Sequence, residues 1–161
     1  MEEIIRLNLA SGKQYLDGYW NVDNLSMNPN VKVDEVANIL TYHDYDDNFH
    51  NIEEIRLSHF MMYVLPDEAL FLFNRWWNWL KKGGKLIIET SDAQKIAKMI
   101  IKDDEMVEQM FGYGDTKGHR WSYTPKTLED LLRIVGFRKF EILEGGSHNR
   151  PDRDFTITAW K

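Results

Sequence analysis

The stretch Ile4–Asp23, IIRLNLASGKQYLDGYWNVD, decides the fold. Its first apolar run, Ile4 to Leu9, ends in the small residues Ala10, Ser11 and Gly12, and its second, Tyr19 to Val22, ends in Asp23. A strand, a tight small-residue turn and a second strand ending in an acid is how an open parallel sheet holds an adenosine-containing ligand. The small turn admits the ligand close to the backbone, and the carboxylate accepts hydrogen bonds from the ribose hydroxyls.

Spacing narrows the ligand. A dinucleotide fold uses three glycines and places its acid about 20 residues later. Here the acid follows eleven residues after Gly12, the one glycine of the turn. Nothing in that turn is built to wrap a pyrophosphate, which disfavours a nicotinamide-dependent enzyme. A ligand with a ribose and no phosphate fits better, and S-adenosylmethionine (SAM) is the commonest of these. The bland alternative for the same residues is an ordinary βαβ opening.

Further along, Val31–Val33 reads as a short third strand after the turn Asn28-Pro29-Asn30, and Glu53–Ser58 as a fourth, followed at once by His59. Pro66-Asp67-Glu68 opens a helix with acids at its positive end. Leu70, Phe73, Trp77 and Leu80 recur on it at helical spacing, and Lys81-Lys82-Gly83-Gly84 reads as its stop. Lys85–Thr90 is a fifth strand. Ser91 or Asp92 caps a helix Ala93–Lys102, and another spans Asp104–Phe111. Gly112–Tyr123 reads as a loop. Thr124-Pro125 caps a helix ended by Gly136, and Phe137–Leu143 with Asp154–Trp160 makes a closing antiparallel pair. Strands alternating with helices predict an α/β fold: a Rossmann-like, doubly wound, mostly parallel sheet with helices on both faces and a C-terminal antiparallel hairpin. The 161 residues, 43% of them hydrophobic, make one domain spanning 1–161.

The net charge of −6 argues against a general nucleic-acid binder. With no cysteine there is no disulfide, thiolate zinc site or cysteine nucleophile. The N-terminus lacks the basic and apolar regions of a signal peptide, and no run is long enough to span a bilayer, so the expected compartment is cytoplasmic. Six tryptophans are many for this length. Trp76 and Trp79 do not share a face with Trp77, which suggests exposed aromatic surface and a homodimer contact.

Read in order, LNLASG (Leu7–Gly12), GYWNVD (Gly18–Asp23), SHFMMYV (Ser58–Val64), LKKGGKLIIET (Leu80–Thr90), HRWSYT (His119–Thr124) and GFRKFEI (Gly136–Ile142) cover almost the whole chain. The set resembles a compact group of class I SAM-dependent methyltransferases with LNLGCG, GY-NVD and SH-LEH type motifs, whose members look similar to proteins linked to polysaccharide or cell-surface sugar modification. Departures are Ala10 and Ser11 for the usual Gly and Cys, Asn8 for an acid, and Met61-Met62-Tyr63 where an acid–histidine pair is usual. Ala10 must keep φ negative or accept strain. A first helix, which covers the cofactor in larger members, has no counterpart in this pattern.

The resemblance implies SAM as cofactor, held by Leu9, Ala10, Ser11, Gly12, Asp23, Asn38, Ile39, Ser58 and His59. Within that set Asp23 takes the ribose, and Asn38 and Ile39 take the adenine. His59, His119 and Asp92 are the candidate bases for an acceptor hydroxyl. Tyr63, Trp121 and Tyr123 are candidate substrate contacts, the last two on an aromatic loop suited to a sugar or other flat face. Each has a structural alternative: a satisfied histidine, a helix cap at Asp92, packed aromatics. No metal ligands are expected, since no HxxxH or HExxH spacing occurs. Two functions follow: a SAM-dependent methyltransferase acting on a small molecule, sugar or polysaccharide precursor, or a non-catalytic SAM-binding or regulatory domain of the same fold.

Overall fold

A computed structural model describes residues 6–25, 29–43, 50–101, 107, 118–146 and 150–161. Ile4, Ile5 and Asn28, the expected helix Asp104–Phe111 apart from Val107, residues 112–117 of the expected loop and residues 147–149 lie outside the described residues.

Seven strands form one sheet: β1 (Arg6–Leu9), β2 (Trp20–Asp23), β3 (Glu35–Val36), β4 (Ile52–Ser58), β5 (Leu80–Ser91), β6 (Lys139–Glu144) and β7 (Asp154–Trp160). Their spatial order is β3-β2-β1-β4-β5-β7-β6. The first five run parallel, and β7 enters antiparallel between β5 and β6. The order reverses beside β1, so the carboxyl ends of β1, β2 and β4 border the crevice where such sheets bind ligands.

The register aligns rows of side chains across the sheet. Leu7, Ile55, Leu86, Ala159 and Phe140 make one row, and Leu9, Leu57, Ile88, Ile157 and Ile142 the next on the same face. Between them Asn8, Arg56, Ile87, Thr158 and Glu141 point the other way. These apolar rows, apart from the exposed Ile142, share one core with α1 (Pro66–Trp79) and α3 (Pro125–Val135). On the polar side, the loop between β1 and β2 takes the place of a crossover helix. Asn8 donates to the Gln14 carbonyl at 2.7 Å and to Asn21 Oδ1 at 2.9 Å, and Asn21 donates to the Leu16 carbonyl at 3.0 Å. These bonds satisfy two amides that are almost fully buried.

Several boundaries differ from the sequence reading. The third strand is Glu35–Val36, not Val31–Val33. Asp34 Oδ2 accepts from the Asn21 backbone at 2.8 Å, and this sets where pairing with β2 begins. Helix α1 ends at Trp79, and Gly83-Gly84 lie inside β5 rather than stopping the helix. A Cβ on Gly84 would stand 2.9 Å from the Ile52 carbonyl oxygen, so only glycine fits there. The Lys161 backbone closes on both glycines, accepting from Gly83 at 3.0 Å and donating to Gly84 at 2.9 Å. Helix α2 covers Ala93–Ile100.

The buried stripe of α1 is Ala69, Leu72, Phe73, Trp76 and Trp79 rather than Leu70, Phe73 and Trp77. Trp76 and Trp79 are therefore core, and Trp77 packs edge-on against Phe137 with ring centroids 4.8 Å apart. Of the three tryptophans on this helix only Trp77 is partly exposed. Among the described residues no helix is long and apolar enough to cross a membrane.

Candidate functional site

A cleft of about 760 Å³ opens at the carboxyl ends of the parallel strands. Its first wall is the turn after β1. Ala10 has φ 53° and Gly12 φ 51°, both left-handed. Gly12 tolerates this, whereas Ala10 accepts the strain its Cβ imposes. The Ser11 N–H donates to the Val22 carbonyl at 3.1 Å and so pins the turn to β2. The Ser11 side chain is buried, and its hydroxyl has no hydrogen-bond partner among the described residues.

Asp23 ends β2 and lines the cleft. Its Oδ2 accepts the Gly12 N–H at 2.9 Å and its Oδ1 the Leu25 N–H at 2.7 Å. Each carboxylate oxygen offers a further lone pair, so the residue holds the turn and still has accepting capacity. After β3 the chain bends at Asn38, whose Oδ1 accepts the Leu40 N–H at 3.0 Å, and it presents Ile39 and Leu40 as an apolar wall.

The opposite wall follows β4. His59, at φ 53°, is tied by its N–H to the Glu89 carbonyl at 2.9 Å. A single 3-10 turn, Met61–Tyr63, then brings Tyr63 into the cleft. Burial raises the Tyr63 phenol above its ordinary value, which keeps it neutral. Its ring meets His119 edge-on, centroids 6.2 Å apart. Burial, then the charges of Arg153 and His59, hold the His119 imidazole below its ordinary pKa.

The segment 118–124 is stitched to this turn. The Arg120 and Trp121 N–H groups donate to the Met62 carbonyl at 2.9 and 3.2 Å. Arg120 Nη1 reaches the Tyr63 carbonyl at 3.2 Å and both Glu68 oxygens. Tyr123 donates its hydroxyl to the Val64 carbonyl at 2.7 Å.

Beneath His59 is a polar cluster. Its Nε2 stands 3.4 Å from Glu89 Oε1 and 3.4 Å from Asp154 Oδ2, and both acids are almost fully buried. Arg153 grips Asp154 with Nε–Oδ1 at 2.6 Å and Nη2–Oδ2 at 3.0 Å, while Arg56 stands 3.8 Å from Glu89.

The structure brings Ala10, Ser11, Gly12, Asp23, Asn38, Ile39, Ser58, His59 and Tyr63 around one cleft. Five residues fall elsewhere. Leu9 points into the core, because it alternates with the turn-facing positions. Asp92 is buried as the N-cap of α2 and accepts the Gln94 N–H at 2.9 Å. Tyr123 is core, not a stacking platform. Trp121 is half-exposed outside the cleft, and His119 packs behind Tyr63 rather than lining it. Sequence reasoning missed Lys13, Phe60 and Arg120 as lining residues, and Glu89 and Asp154 as neighbours of His59. The odd polar positions in the apolar run of β5, Glu89 above all, were the available signal.

No family model matches the chain, and no curated protein matches its sequence. Solved structures do match its fold. A SAM-dependent methyltransferase from Archaeoglobus fulgidus superposes with TM-score 0.65 at 14% identity, over 97% of this chain and 85% of that one. One from Thermotoga maritima gives 0.65 at 16%, over 99% and 83%. Human N-acetylserotonin methyltransferase, solved with SAM, gives 0.61 at 15%, over 98% of this chain but only 47% of its own. At such identities the likeness shows the fold: a Rossmann-like sheet shared with class I SAM-dependent methyltransferases.

Proposed function

We propose that the chain is a SAM-dependent methyltransferase acting on a small molecule, with a sugar or polysaccharide precursor as the acceptor class that the sequence resemblance favours. One observation carries the reading. The small-residue turn, the ribose-type acid, the apolar wall after β3 and the histidine after β4 all converge on one cleft, although they are scattered over the sequence. The shared fold supports it.

The residues present fit SAM. Asp23 has accepting capacity for the ribose, Ile39 and Leu40 offer apolar surface to the adenine, and the buried Ser11 hydroxyl lacks a partner for a polar tail to meet. When bound, SAM supplies a methyl group already activated on a sulfonium. The chain's own task is placement: two walls hold the acceptor within attack distance, worth several kcal/mol of barrier. Tyr63 and Phe60 turn aromatic surface toward the cleft, which suits a cationic sulfur. His59 lies at the cleft floor, where it can take an acceptor proton.

Calorimetry with SAM and with its demethylated product S-adenosylhomocysteine tests the binding half. Methyl transfer from labelled SAM to a panel of sugars and small hydroxylated metabolites tests the rest. Micromolar binding with transfer supports the reading; no binding of either nucleoside overturns it.

A further inference from the structure

At the cleft floor, one ligand atom each from His59, Glu89 and Asp154 lie within 4.8 Å of one another. His59 Nε2 is equidistant, at 3.4 Å, from the two carboxylate oxygens. That is longer than an ordinary N–H···O bond of about 2.7–3.2 Å. For these two edges it equals the edge of a tetrahedron with metal–ligand bonds of about 2.1 Å, the usual value for zinc with imidazole and carboxylate. We propose that these three side chains hold a divalent transition-metal ion, zinc or manganese, at the floor of the cleft.

Four further observations support the assignment. The two carboxylates are almost fully buried, which is costly for adjacent acids unless cations compensate them. Arg153, bonded to both Asp154 oxygens, and Arg56, 3.8 Å from Glu89, formally balance the two acids and orient them, as outer-shell partners of metal ligands do. Ser91 pairs in register with Asp154 and so shares its sheet face, and the Ser91 hydroxyl is buried with no hydrogen-bond partner among the described residues. Gly146 backs directly onto Glu89: a Cβ there would lie 2.3 Å from the carboxylate, so the chain closes over that ligand as tightly as glycine permits.

Three protein ligands leave a tetrahedral ion one open position, the pattern of catalytic rather than structural sites. His59 is the one ligand that lines the cleft, so the open position is reached from there. On this assignment His59 Nε2 is a ligand and not the base; an oxygen bound at such an ion loses its proton to solvent more readily than in water, so the ion takes over that role toward a hydroxyl acceptor. The site as a catalytic feature rests on the methyltransferase reading; ion binding itself does not.

The test is zinc and manganese titration of the full chain by calorimetry after chelator treatment, with Glu89→Gln and Asp154→Asn alongside. We expect one ion per chain and at least a hundredfold loss of affinity in each variant. Because either variant can fail to fold, X-ray absorption on the zinc-loaded wild type provides a second measurement. It should show an all N/O shell at about 2.0–2.1 Å containing a single imidazole, and the imidazole signal should vanish in His59→Gln. No stoichiometric binding, or binding that all three substitutions leave unchanged, overturns the proposal and leaves an imidazole–carboxylate cluster. SAM binding is measured on the same samples. Loss of the metal result with SAM binding intact defeats only this inference, and the reverse defeats only the cofactor reading.

Discussion

The carboxylate of Asp23 receives the backbone N–H of Gly12 at 2.9 Å, so the acid at the end of one strand clamps the turn at the end of its neighbour. On the proposed cofactor reading, binding and local structure are joined in this one side chain. Asp23→Ala is expected to weaken SAM binding at least tenfold, about 1.4 kcal/mol. It should also cost about 1–2 kcal/mol of stability, because the Gly12 and Leu25 N–H groups lose a charged acceptor. Calorimetry and urea unfolding measure the two effects. An unchanged dissociation constant would remove Asp23 from the ligand's reach.

Ala10 tests the strain in the same turn. Its left-handed φ of 53° costs an L-residue about 1–2 kcal/mol. Glycine relieves that but gives back about 0.5–1 kcal/mol through the freedom it adds to the unfolded chain. Ala10→Gly should therefore raise stability by about 0.5 kcal/mol, read as a higher urea midpoint. A clear loss of stability would show that the methyl group contributes packing that outweighs the strain.

Tyr123 distinguishes a core hydroxyl from a substrate contact. Tyr123→Phe leaves the buried Val64 carbonyl without its donor and should cost about 1 kcal/mol. SAM affinity and acceptor KM should stay the same. A changed KM at unchanged stability would return Tyr123 to the substrate site.

Asp34 gives the fold a pH dependence. Burial alone would raise its pKa, but hydrogen bonds from the Asn21 side chain and backbone and from Tyr15, with the nearby Lys32 charge, overcome that and hold it below its ordinary value of 3.8. A carboxyl with a depressed folded pKa stabilises the native state above its unfolded pKa. That contribution fades as pH falls from the ordinary value through the folded one. Wild type should exceed Asp34→Asn in stability at pH 7, and the gap should narrow below pH 3.8. A constant gap from pH 7 to 2.5 would assign the effect to shape instead of charge.

Most of the sheet was legible because β1, β2, β4 and β5 end in small or polar residues where the apolar run stops. What escaped has physical reasons. A two-residue strand such as β3 has no periodicity of its own; Asp34 and the edge of β2 define it. Helix α1 carries two apolar stripes at helical spacing that share Phe73, and only the sheet beneath chooses between them. Arg75 rides within the chosen stripe because its guanidinium finds the Leu40 and Tyr42 carbonyls at 3.0 and 3.3 Å. The cleft-lining residues after β1, β2 and β4 were readable since they follow strands directly. Glu89 and Asp154 join His59 only through the β4–β5–β7 pairing, which no local pattern encodes.

The stitching of segment 118–124 to the turn Met61–Tyr63 has a practical corollary for anyone wishing to reshape the cleft. Three backbone and side-chain links to Met62 and Tyr63 make the two stretches a single wall. Grafting a foreign loop into either stretch alone would sever its mate. New shapes of this wall are best sought by exchanging both together, or by varying only side chains that leave those carbonyls engaged.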